Sequence, residues 1–484
     1  MVINMLWFLW AALAAVAVLA AVLLLRAALF RPPEQGAAGP AAEPTASDEA
    51  VERFSQLLQK KTVSNRDPAR MDPVPFEEFI ALLPALYPKV HAALTRERVA
   101  QYSLLYRWKG REPGKPAVLM AHYDVVPAPP EGWEQPPFDG AVRDGVIWGR
   151  GSIDTKVTLT AIFESAERLC GEGFVPLHDI YLSFGHDEEI GGVNGTPSIV
   201  ALLRERGIAP RMVMDEGGAI VEGIFPGVHR PIAVVGTAEK GRTDLEIIAN
   251  GAGGHASAPP KDDAAAQVAR AILRMRRRPF PASFPDTTLE MLDVLGRYTP
   301  FGLRIIFANL WLFRPLLLRM FTGSGGETGA MCRTTFAVTM LEGSDSANML
   351  PARVRAVANI RNAVGESVGQ DITYIKRVVK DDSLSYNTIF ASEPSPVSDT
   401  GSEGFRLLRQ TVAEIFPGAI VTPYVMIAQS DSRHYAPICK NIFRFVPIEL
   451  SKKERESVHN VNECLPVSKF AGCIEFYARL IKKL

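Results

Sequence analysis

The sequence predicts an α/β fold in which a mixed, largely parallel sheet carries helices on both faces and is interrupted by a smaller α+β module. Strand and helix patterns alternate from about residue 100, which is typical of a parallel sheet. The pattern changes near residue 237 and resumes near 366, which indicates an insertion. An apolar run follows Met5 and ends at Leu25, and about 20 such residues span a bilayer as a helix.

Residues 1–30 are predicted to be a transmembrane anchor or a signal segment. No Lys or Arg precedes the apolar run and no small-x-small cleavage site follows it, which favours an uncleaved, single-pass anchor. Arg26 and Arg31 follow the run and favour a cytoplasmic body, but two charges leave the facing open. Cleavage would instead give a secreted protein. Residues 31–47 are rich in Pro, Gly and Ala and predict a flexible linker.

The sheet-bearing segment is predicted to begin at residue 48, with two helices ahead of the first strand. Residues 48–60 have apolar side chains on one side of a helix. Residues 75–83 predict a second helix that Pro84 closes. The alternating pattern then predicts strands at 101–109, 118–126, 178–185 and 211–215, and helices at 155–171 and 195–207.

The inserted module is predicted to occupy residues 237–362, between sheet-bearing segments 48–236 and 363–484. Its predicted elements are strands at 242–250, 333–341 and 353–361 and a helix at 263–278. Residues 298–321 are strongly apolar, but a second membrane span would place Arg304, Arg314 and Arg319 in hydrocarbon. Two short packed helices are therefore expected there.

Charge and cysteine content give no support to a nucleic-acid-binding protein or to a protein built on a cysteine metal site or dense disulfides. The chain has 53 basic and 53 acidic residues, so bulk electrostatics give no reason to expect nucleic-acid binding. The five cysteines match neither a Cys-x-x-Cys metal site nor a dense disulfide framework.

Several residues with metal-ligating side chains follow the predicted strands. His122 and Asp124 lie two apart near a strand end, so they face the same side, as a ligand and its orienting carboxylate would. If the sheet is parallel, the later candidates lie at the same edge. They are Asp154, Glu188, Glu189, Asp215 and His459. This donor set suits Zn²⁺, with Mn²⁺ or Co²⁺ as alternatives, and the adjacent glutamates can divide coordination from proton transfer.

The motifs AHYDVVP, GRGSIDTK, GHDEEIGG, MDEGG and GGHAS, with the late His459, resemble the M20 family of metallopeptidases over residues 48–484. The most similar subgroup holds carboxypeptidase S and the N-acyl-amino-acid synthase/hydrolases. The resemblance implies Asp154 as a bridging ligand, Glu188 as the general base and Asp124 as the partner of His122. It implies two zinc ions per subunit, held by His122, Asp154, Glu189, Asp215 and His459. It also implies that residues 237–362 are a lid or dimerisation domain, and hence a homodimer.

The same resemblance gives His255 of GGHAS a catalytic role, because the matching histidine stabilises the oxyanion, often from the partner subunit. The expected substrate contacts are Asn348, Arg361, Ser430, Asp431 and Arg433, for which ordinary structural contacts are an equal alternative. An arginine among them could bind the carboxylate of a leaving amino acid. The apolar stretch Phe301–Phe321 could form either an acyl pocket or ordinary lid core.

The predicted function is zinc-dependent hydrolysis of an amide in a peptide or N-acyl amino acid, releasing a free amino acid and reversible as a synthase. A dipeptidase or aminoacylase of the same family is the alternative. Two remote alternatives are a non-catalytic binding protein and a serine hydrolase. The latter would use residues 365–369, GESVG, which match the G-x-S-x-G nucleophile motif.

Overall fold

The computed structural model describes residues 2–33 and 44–484, so residues 34–43 of the predicted linker lie outside the described part. The chain forms two compact units. The inserted unit comprises the residues up to Pro32, Ala238–Val397 and Val425–Gln429. The sheet unit comprises Pro33–Thr237, Ser398–Tyr424 and Ser430–Leu484.

The α-helices in the described residues are α1 Val2–Leu29, α2 Asp48–Leu58, α3 Val74–Leu86, α4 Pro88–Ala93, α5 Lys156–Gly171, α6 Gly195–Glu205, α7 Ala264–Arg277, α8 Asp286–Gly296, α9 Phe301–Phe307, α10 Leu310–Ser324, α11 Gly326–Ala330, α12 Val368–Val379, α13 Glu403–Ile415, α14 Lys452–Ser457 and α15 Val467–Lys483. The strands are β1 Thr95–Val99, β2 Ser103–Trp108, β3 Ala117–His122, β4 Val142–Arg143, β5 Val146–Trp148, β6 Ile180–Gly185, β7 Met212–Val221, β8 Ile232–Glu239, β9 Arg242–Asn250, β10 Gly254–His255, β11 Thr335–Glu342, β12 Met349–Leu350, β13 Arg353–Arg361, β14 Ser385–Ser392, β15 Ile420–Met426, β16 Ile442–Glu449 and β17 Cys464–Pro466.

An eight-stranded mixed sheet organises the sheet unit, in the order β1-β2-β6-β3-β7-β16-β8-β15. Its central pairs, β6 with β3, β3 with β7 and β7 with β16, are parallel. Successive side chains of β3 enter different cores, with Leu119 in one and Val118 and Met120 in the other. Both faces of the sheet are therefore covered, which confirms the predicted mixed, largely parallel α/β architecture.

A four-stranded antiparallel sheet, β11-β13-β9-β14, organises the inserted unit. It has its own core, in which Leu245 and Ile247 of β9 lie with Val268 of α7 and Ile375 of α12. The predicted module ended at residue 362, whereas the unit continues to Val397. The reason is that β14 pairs with β9 and α12 contributes to the same core.

Three local predictions are corrected by the structure. Helix α3 continues through Pro84 to Leu86, and the Ile80 carbonyl accepts a hydrogen bond from the Arg96 guanidinium at 3.5 Å. An interior proline removes the helical N–H donor to the carbonyl four residues earlier. The Arg96 guanidinium therefore replaces the hydrogen bond that the Ile80 carbonyl would otherwise accept within the helix. The strand predicted at 211–215 continues as β7 to Val221, and the strand predicted at 118–126 stops at His122. The two short helices expected within 298–321 are confirmed as α9 and α10.

Candidate metal centre

His122 ends β3 with its ring oriented by Asp124. Its buried Nδ1 lies 3.0 Å from the backbone carbonyl oxygen of Asp124 and 3.3 Å from the carboxylate Oδ1. The Asp124 carboxylate in turn accepts a hydrogen bond from the Ser64 hydroxyl at 2.7 Å. A proton held on Nδ1 leaves Nε2 as a free donor atom for a metal, the usual arrangement around ligating histidines.

Asp154 lies between the two histidines that were predicted as ligands. Its Oδ1 is 3.1 Å from Nε2 of His122, and its Oδ2 is 2.9 Å from Nε2 of His459. Two groups of donor atoms share Asp154, one with His122 and Glu216 and the other with Glu189 and His459. Within each group, the donor atoms lie within 4.8 Å of one another. A carboxylate common to two donor groups is what a two-metal site requires.

Glu216 was not predicted from the sequence, and a β-bulge brings it into the first group. In the ladder of β7 with β16, Asp215 pairs with Arg444 and Gly218 with Phe445, so Glu216 and Gly217 are extra residues. Such a bulge re-aims the side chain, and Oε1 of Glu216 lies 3.2 Å from Nε2 of His122. Gly217 has φ +137°, and a Cβ on Gly218 would lie 1.8 Å from the Val234 carbonyl oxygen. The signal in the sequence was the Gly-Gly that follows Glu216.

The predicted ligand Asp215 lies next to Glu216 but has a different partner. Its buried Oδ2 accepts a hydrogen bond from the backbone N–H of Ser432 at 2.9 Å. Its assignment as a ligand stays a prediction.

Glu188 and Glu189 occupy a 3-10 turn, Glu188–Ile190, after β6. Their backbone N–H groups donate to the two oxygens of Asp124, at 3.2 and 3.1 Å. Glu189 Oε2 is 3.2 Å from Nε2 of His459, and its buried Oε1 has no hydrogen-bond partner among the described residues. Glu188 lies outside both donor groups, with Oε2 3.9 Å from Nε2 of His122. The two glutamates therefore have different environments.

Glu463, also missed from the sequence, holds the turn that carries Asp154. Its buried carboxylate accepts hydrogen bonds from the Arg150 guanidinium at 2.6 Å and from the backbone N–H groups of Ile153 and Asp154 at 2.7 and 3.1 Å. The Gly151 N–H donates to it at 3.1 Å. A glutamate four residues after His459 carried no pattern that distinguished it from a surface residue.

Burial and contacts between carboxylates and histidines shift the pKa values of the centre. Burial raises the pKa of Glu216 to about 8 and that of Glu188 well above its ordinary value. Hydrogen bonds with Asp154 and Glu189 raise the pKa of His459 to about 10. Histidine nitrogens with carboxylate oxygens are a zinc donor set, and the unpartnered buried oxygen of Glu189 suits coordination. These residues therefore fit a pair of divalent cations.

Three predicted substrate contacts form a segment in the same unit. The buried Asp431 accepts a hydrogen bond from the Thr196 hydroxyl at 2.7 Å, and the Ser430 hydroxyl lies 2.6 Å from that of Ser432. Arg433 donates to the carbonyl oxygens of Ser430 and Gly191, at 2.7 and 2.5 Å. Arg433 thus links this segment to the loop that follows the Glu188–Glu189 turn.

The other predicted residues belong to the inserted unit. His255 is exposed and pairs with Met349 in the ladder of β10 with β12. Asn348 accepts a hydrogen bond from the Ser346 hydroxyl at 2.6 Å. Arg361 ends β13, and burial, with Arg242 nearby, lowers the pKa of its guanidinium. The roles of His255, Asn348 and Arg361 stay predictions.

The serine of GESVG has a structural role. Ser367 is the N-cap of α12, where its hydroxyl accepts a hydrogen bond from the Gln370 N–H and its own backbone N–H donates to the side-chain oxygen of Gln370. This is a capping box. It accounts for the motif without a nucleophile and removes the reason for the serine-hydrolase alternative.

Comparison with known proteins identifies the family. Residues 118–483 match the family described as Peptidase family M20/M25/M40. The probable carboxypeptidase S-like 2 of Dictyostelium discoideum is 37% identical over 90% of this chain and 86% of its own length. The N-fatty-acyl-amino acid synthase/hydrolase PM20D1 of Bos taurus is 36% identical over 89% of this chain and 87% of its own.

Solved structures show the same fold. The M20 family metallo-carboxypeptidase Sso-CP2 from Sulfolobus solfataricus superposes with a TM-score of 0.68 at 17% identity, covering 90% of this chain and 99% of that one. Bacillus subtilis YXEP, described as a dinuclear metal binding peptidase from the M20 family, gives 0.56 at 13% identity over 90% and 97%. The family match covers most of the chain, and both relatives exceed 30% identity over more than two thirds of each chain. The chain is therefore a hydrolase of the M20 peptidase family.

Proposed function

We propose that the protein is a two-zinc amidohydrolase that cleaves a peptide or an N-acyl amino acid and releases a free amino acid. One observation carries the proposal: Asp154 is shared between two groups of nitrogen and oxygen donors, with Glu188 beside them. The names of the relatives, a carboxypeptidase and a fatty-acyl-amino acid synthase/hydrolase, support this substrate class. Near equilibrium such an enzyme also runs as a synthase.

The ligand assignment follows the two donor groups. His122, Asp154 and Glu216 would hold one ion, and Asp154, Glu189 and His459 would hold the other. Mn²⁺ or Co²⁺ are alternatives to Zn²⁺, because both accept the same ligands. Asp215 is assigned the neighbouring role of fixing the strand end through Ser432, rather than that of a ligand.

Glu188 acts as the general base in this proposal. Metal ions held at this centre would polarise the scissile carbonyl and acidify water. Glu188 takes the proton of the attacking water and later returns it to the leaving amine, since its carboxylate is near His122 but outside both donor groups. Asp124 keeps His122 in the required tautomer. His255 supplies a hydrogen bond to the oxyanion, as the resemblance to the family suggests.

Substrate binding is assigned to the remaining predicted residues. Arg361 or Arg433 is assigned to bind the free carboxylate, and Asn348, Ser430 and Asp431 are assigned as further substrate contacts. The inserted unit provides the contact of a homodimer. Helix α1 is the one described helix of sufficient length and apolarity to cross a membrane, at Leu6–Leu29, and we assign it as a retained single-pass anchor.

A Glu188→Gln variant tests the mechanism. General acid–base catalysis contributes about 10²- to 10⁴-fold, so turnover should fall by about that factor. Zinc content, measured by mass spectrometry of the purified protein, should stay at two per chain. A variant that keeps full turnover would show that Glu188 is not the base.

A matched pair of variants tests the ligands. Glu216→Gln should lower the zinc content towards one ion per chain, whereas Asp215→Asn should retain two. The opposite result would return the ligand role to Asp215.

Turnover of N-acyl amino acids compared with unblocked dipeptides separates the acylase from the dipeptidase. Release of product from neither substrate would overturn the proposed substrate class.

A further inference from the structure

A cluster of large apolar side chains is exposed on helices α9 and α10 of the inserted unit. Phe301, Trp311, Leu316 and Met320 are between 48% and 59% exposed, and Leu312 is 40% exposed. These five residues are called the α9–α10 face below. The sequence left Phe301–Phe321 open between an acyl pocket and lid core, but such exposure fits neither a closed pocket nor a core. Exposed apolar clusters of this kind mark binding surfaces.

The corner between α9 and α10 is hydrogen-bonded to the carboxyl end of α1. The Arg26 guanidinium donates to the Ala308 carbonyl oxygen at 3.1 Å, and the buried Asn309 amide donates to the Leu23 carbonyl oxygen at 3.2 Å. Ala27 is completely buried. The end of α1 is thus part of the packing of the inserted unit.

A second set of contacts reinforces this junction from α8. The Arg297 guanidinium lies 4.4 Å from the centre of the Phe30 ring and donates to the Arg31 carbonyl oxygen at 3.3 Å. Gly296 allows close approach, because a Cβ there would lie 2.4 Å from the Cβ of Phe307. Residues on both sides of the α8–α9 connection therefore fix α1 in place.

These contacts set the depth of the corner relative to a bilayer crossed by α1. The apolar residues 6–25 are about 30 Å long as a helix, the thickness of the hydrocarbon core, so Arg26 marks the boundary. Ala308 contacts Arg26, and Asn309 contacts Leu23, which lies about 5 Å deeper along α1. The corner is therefore level with the junction of headgroups and acyl chains.

The two helices themselves are too short to cross. They contain 7 and 15 residues, about 10 and 22 Å, and meet at 99°. Helix α10 carries Trp311 and three exposed aliphatic side chains together with the exposed Arg314 and Arg319. Aromatic and aliphatic residues mixed with arginines are typical of helices that lie in the membrane interface.

We infer that the α9–α10 face is a membrane-binding surface that inserts into the headgroup–acyl boundary of the bilayer crossed by α1. The inference rests on the proposed role of α1 as a retained anchor. The lipid surface is the occupant that the contacts of Arg26 and Asn309 favour, because they place the face beside a membrane-spanning helix. The consequence is that the inserted unit is held on the membrane, where substrates with an acyl chain are dissolved.

Site-directed spin labelling of the full chain in phosphatidylcholine vesicles tests the inference. Three variants, each with one added cysteine, are compared: Leu316→Cys on the α9–α10 face, Val16→Cys within α1, and Asp382→Cys, an exposed site of the same unit, as the control. The unsubstituted chain reports the labelling of the natural cysteines. Collision of the label with oxygen, which concentrates in lipid, is measured against collision with a water-soluble nickel chelate.

The expected result is an oxygen-to-nickel accessibility ratio at 316 that is at least several-fold above that at 382 and below that at 16. A water-like ratio at 316 with a lipid-like ratio at 16 would overturn the inference and leave the anchor intact. Shielding of 316 from both reagents would also overturn it, since another protein surface would then cover the face. A water-like ratio at 16 would overturn the anchor itself.

Discussion

Glu463 holds the turn that carries Asp154, so a substitution of Glu463 tests how this ligand is oriented without altering any proposed ligand. Its side chain is completely buried and pairs with the buried Arg150 at 2.6 Å. Glu463→Gln keeps the size of the side chain but removes its charge. One carboxylate oxygen becomes an NH₂ group, which faces the N–H donors of Arg150 and Gly151 or those of Ile153 and Asp154.

The expected cost follows from the burial of this pair. Removal of one partner of a buried ion pair leaves an uncompensated charge on the other and costs about 3–5 kcal/mol. We therefore expect the free energy of unfolding to fall by about that amount. Glu463 also accepts a hydrogen bond from the backbone N–H of Asp154 and so orients this proposed ligand. Metal affinity should therefore fall about 10- to 100-fold, as for other residues that orient ligands.

Denaturant unfolding and zinc titration of the purified variant measure both effects. The control is Glu475→Gln on α15, whose side chain is 25% exposed and whose carboxylate pairs with Arg168 and Arg479, each at 2.8 Å. Exposed ion pairs contribute at most about 1 kcal/mol, so this variant should change stability little and leave metal affinity unaltered. Equal stability losses in the two variants, or unchanged zinc affinity of Glu463→Gln, would refute the reasoning.

Three further predictions concern the cap, the metal and pH. Ser367→Ala should lower stability by about 1 kcal/mol through loss of the N-cap and leave turnover unchanged; a folded variant without turnover would restore the serine mechanism. Chelation should abolish turnover and lower the melting temperature, and zinc should restore both, since a thousandfold excess over Kd stabilises by about 4 kcal/mol; a chelated sample that stays active would contradict a metal mechanism. Burial raises the pKa of Asp371 to about 6 in the folded chain. Folding therefore favours the protonated carboxyl group, and this contribution to the free energy of unfolding is lost as pH rises from 4 to 7. The stability of Asp371→Asn relative to the native chain should therefore increase by about 2–3 kcal/mol over that range, and a flat difference would contradict the pKa.

The sequence predicted what depends on local periodicity and on motif order. The continuous apolar run of β3 and the alternation of strand and helix segments predicted the parallel core, and the glycine-rich turn before Asp154 predicted a strand-to-helix connection. The arginines within 298–321 correctly excluded a second straight span. Each of these signals lies within about 20 consecutive residues, the range over which side-chain patterning reports secondary structure.

The sequence could not predict features that depend on partners distant in the chain. The bulge at Glu216 exists because β16, more than 200 residues later, leaves two residues of β7 unpaired. The extension of the inserted unit to Val397 depends on β14 pairing with β9, which lies about 140 residues earlier in the chain. Propensity and period carry no information about such tertiary contacts.

Hydrogen-bond saturation separates the carboxylates of the centre into two kinds. Asp124 accepts hydrogen bonds from a hydroxyl group and two backbone N–H groups. Glu463 accepts hydrogen bonds from a guanidinium group and three backbone N–H groups. A buried carboxylate with its lone pairs filled has little capacity left for a cation, so it positions other residues. Glu189 keeps an oxygen without a hydrogen-bond partner among the described residues. Glu216 lies beside His122, and burial raises the pKa of its carboxyl group. Buried charge persists where it is paired or binds metal, so the unpartnered oxygen of Glu189 and the largely buried carboxylate of Glu216 support the ligand roles proposed for these two residues.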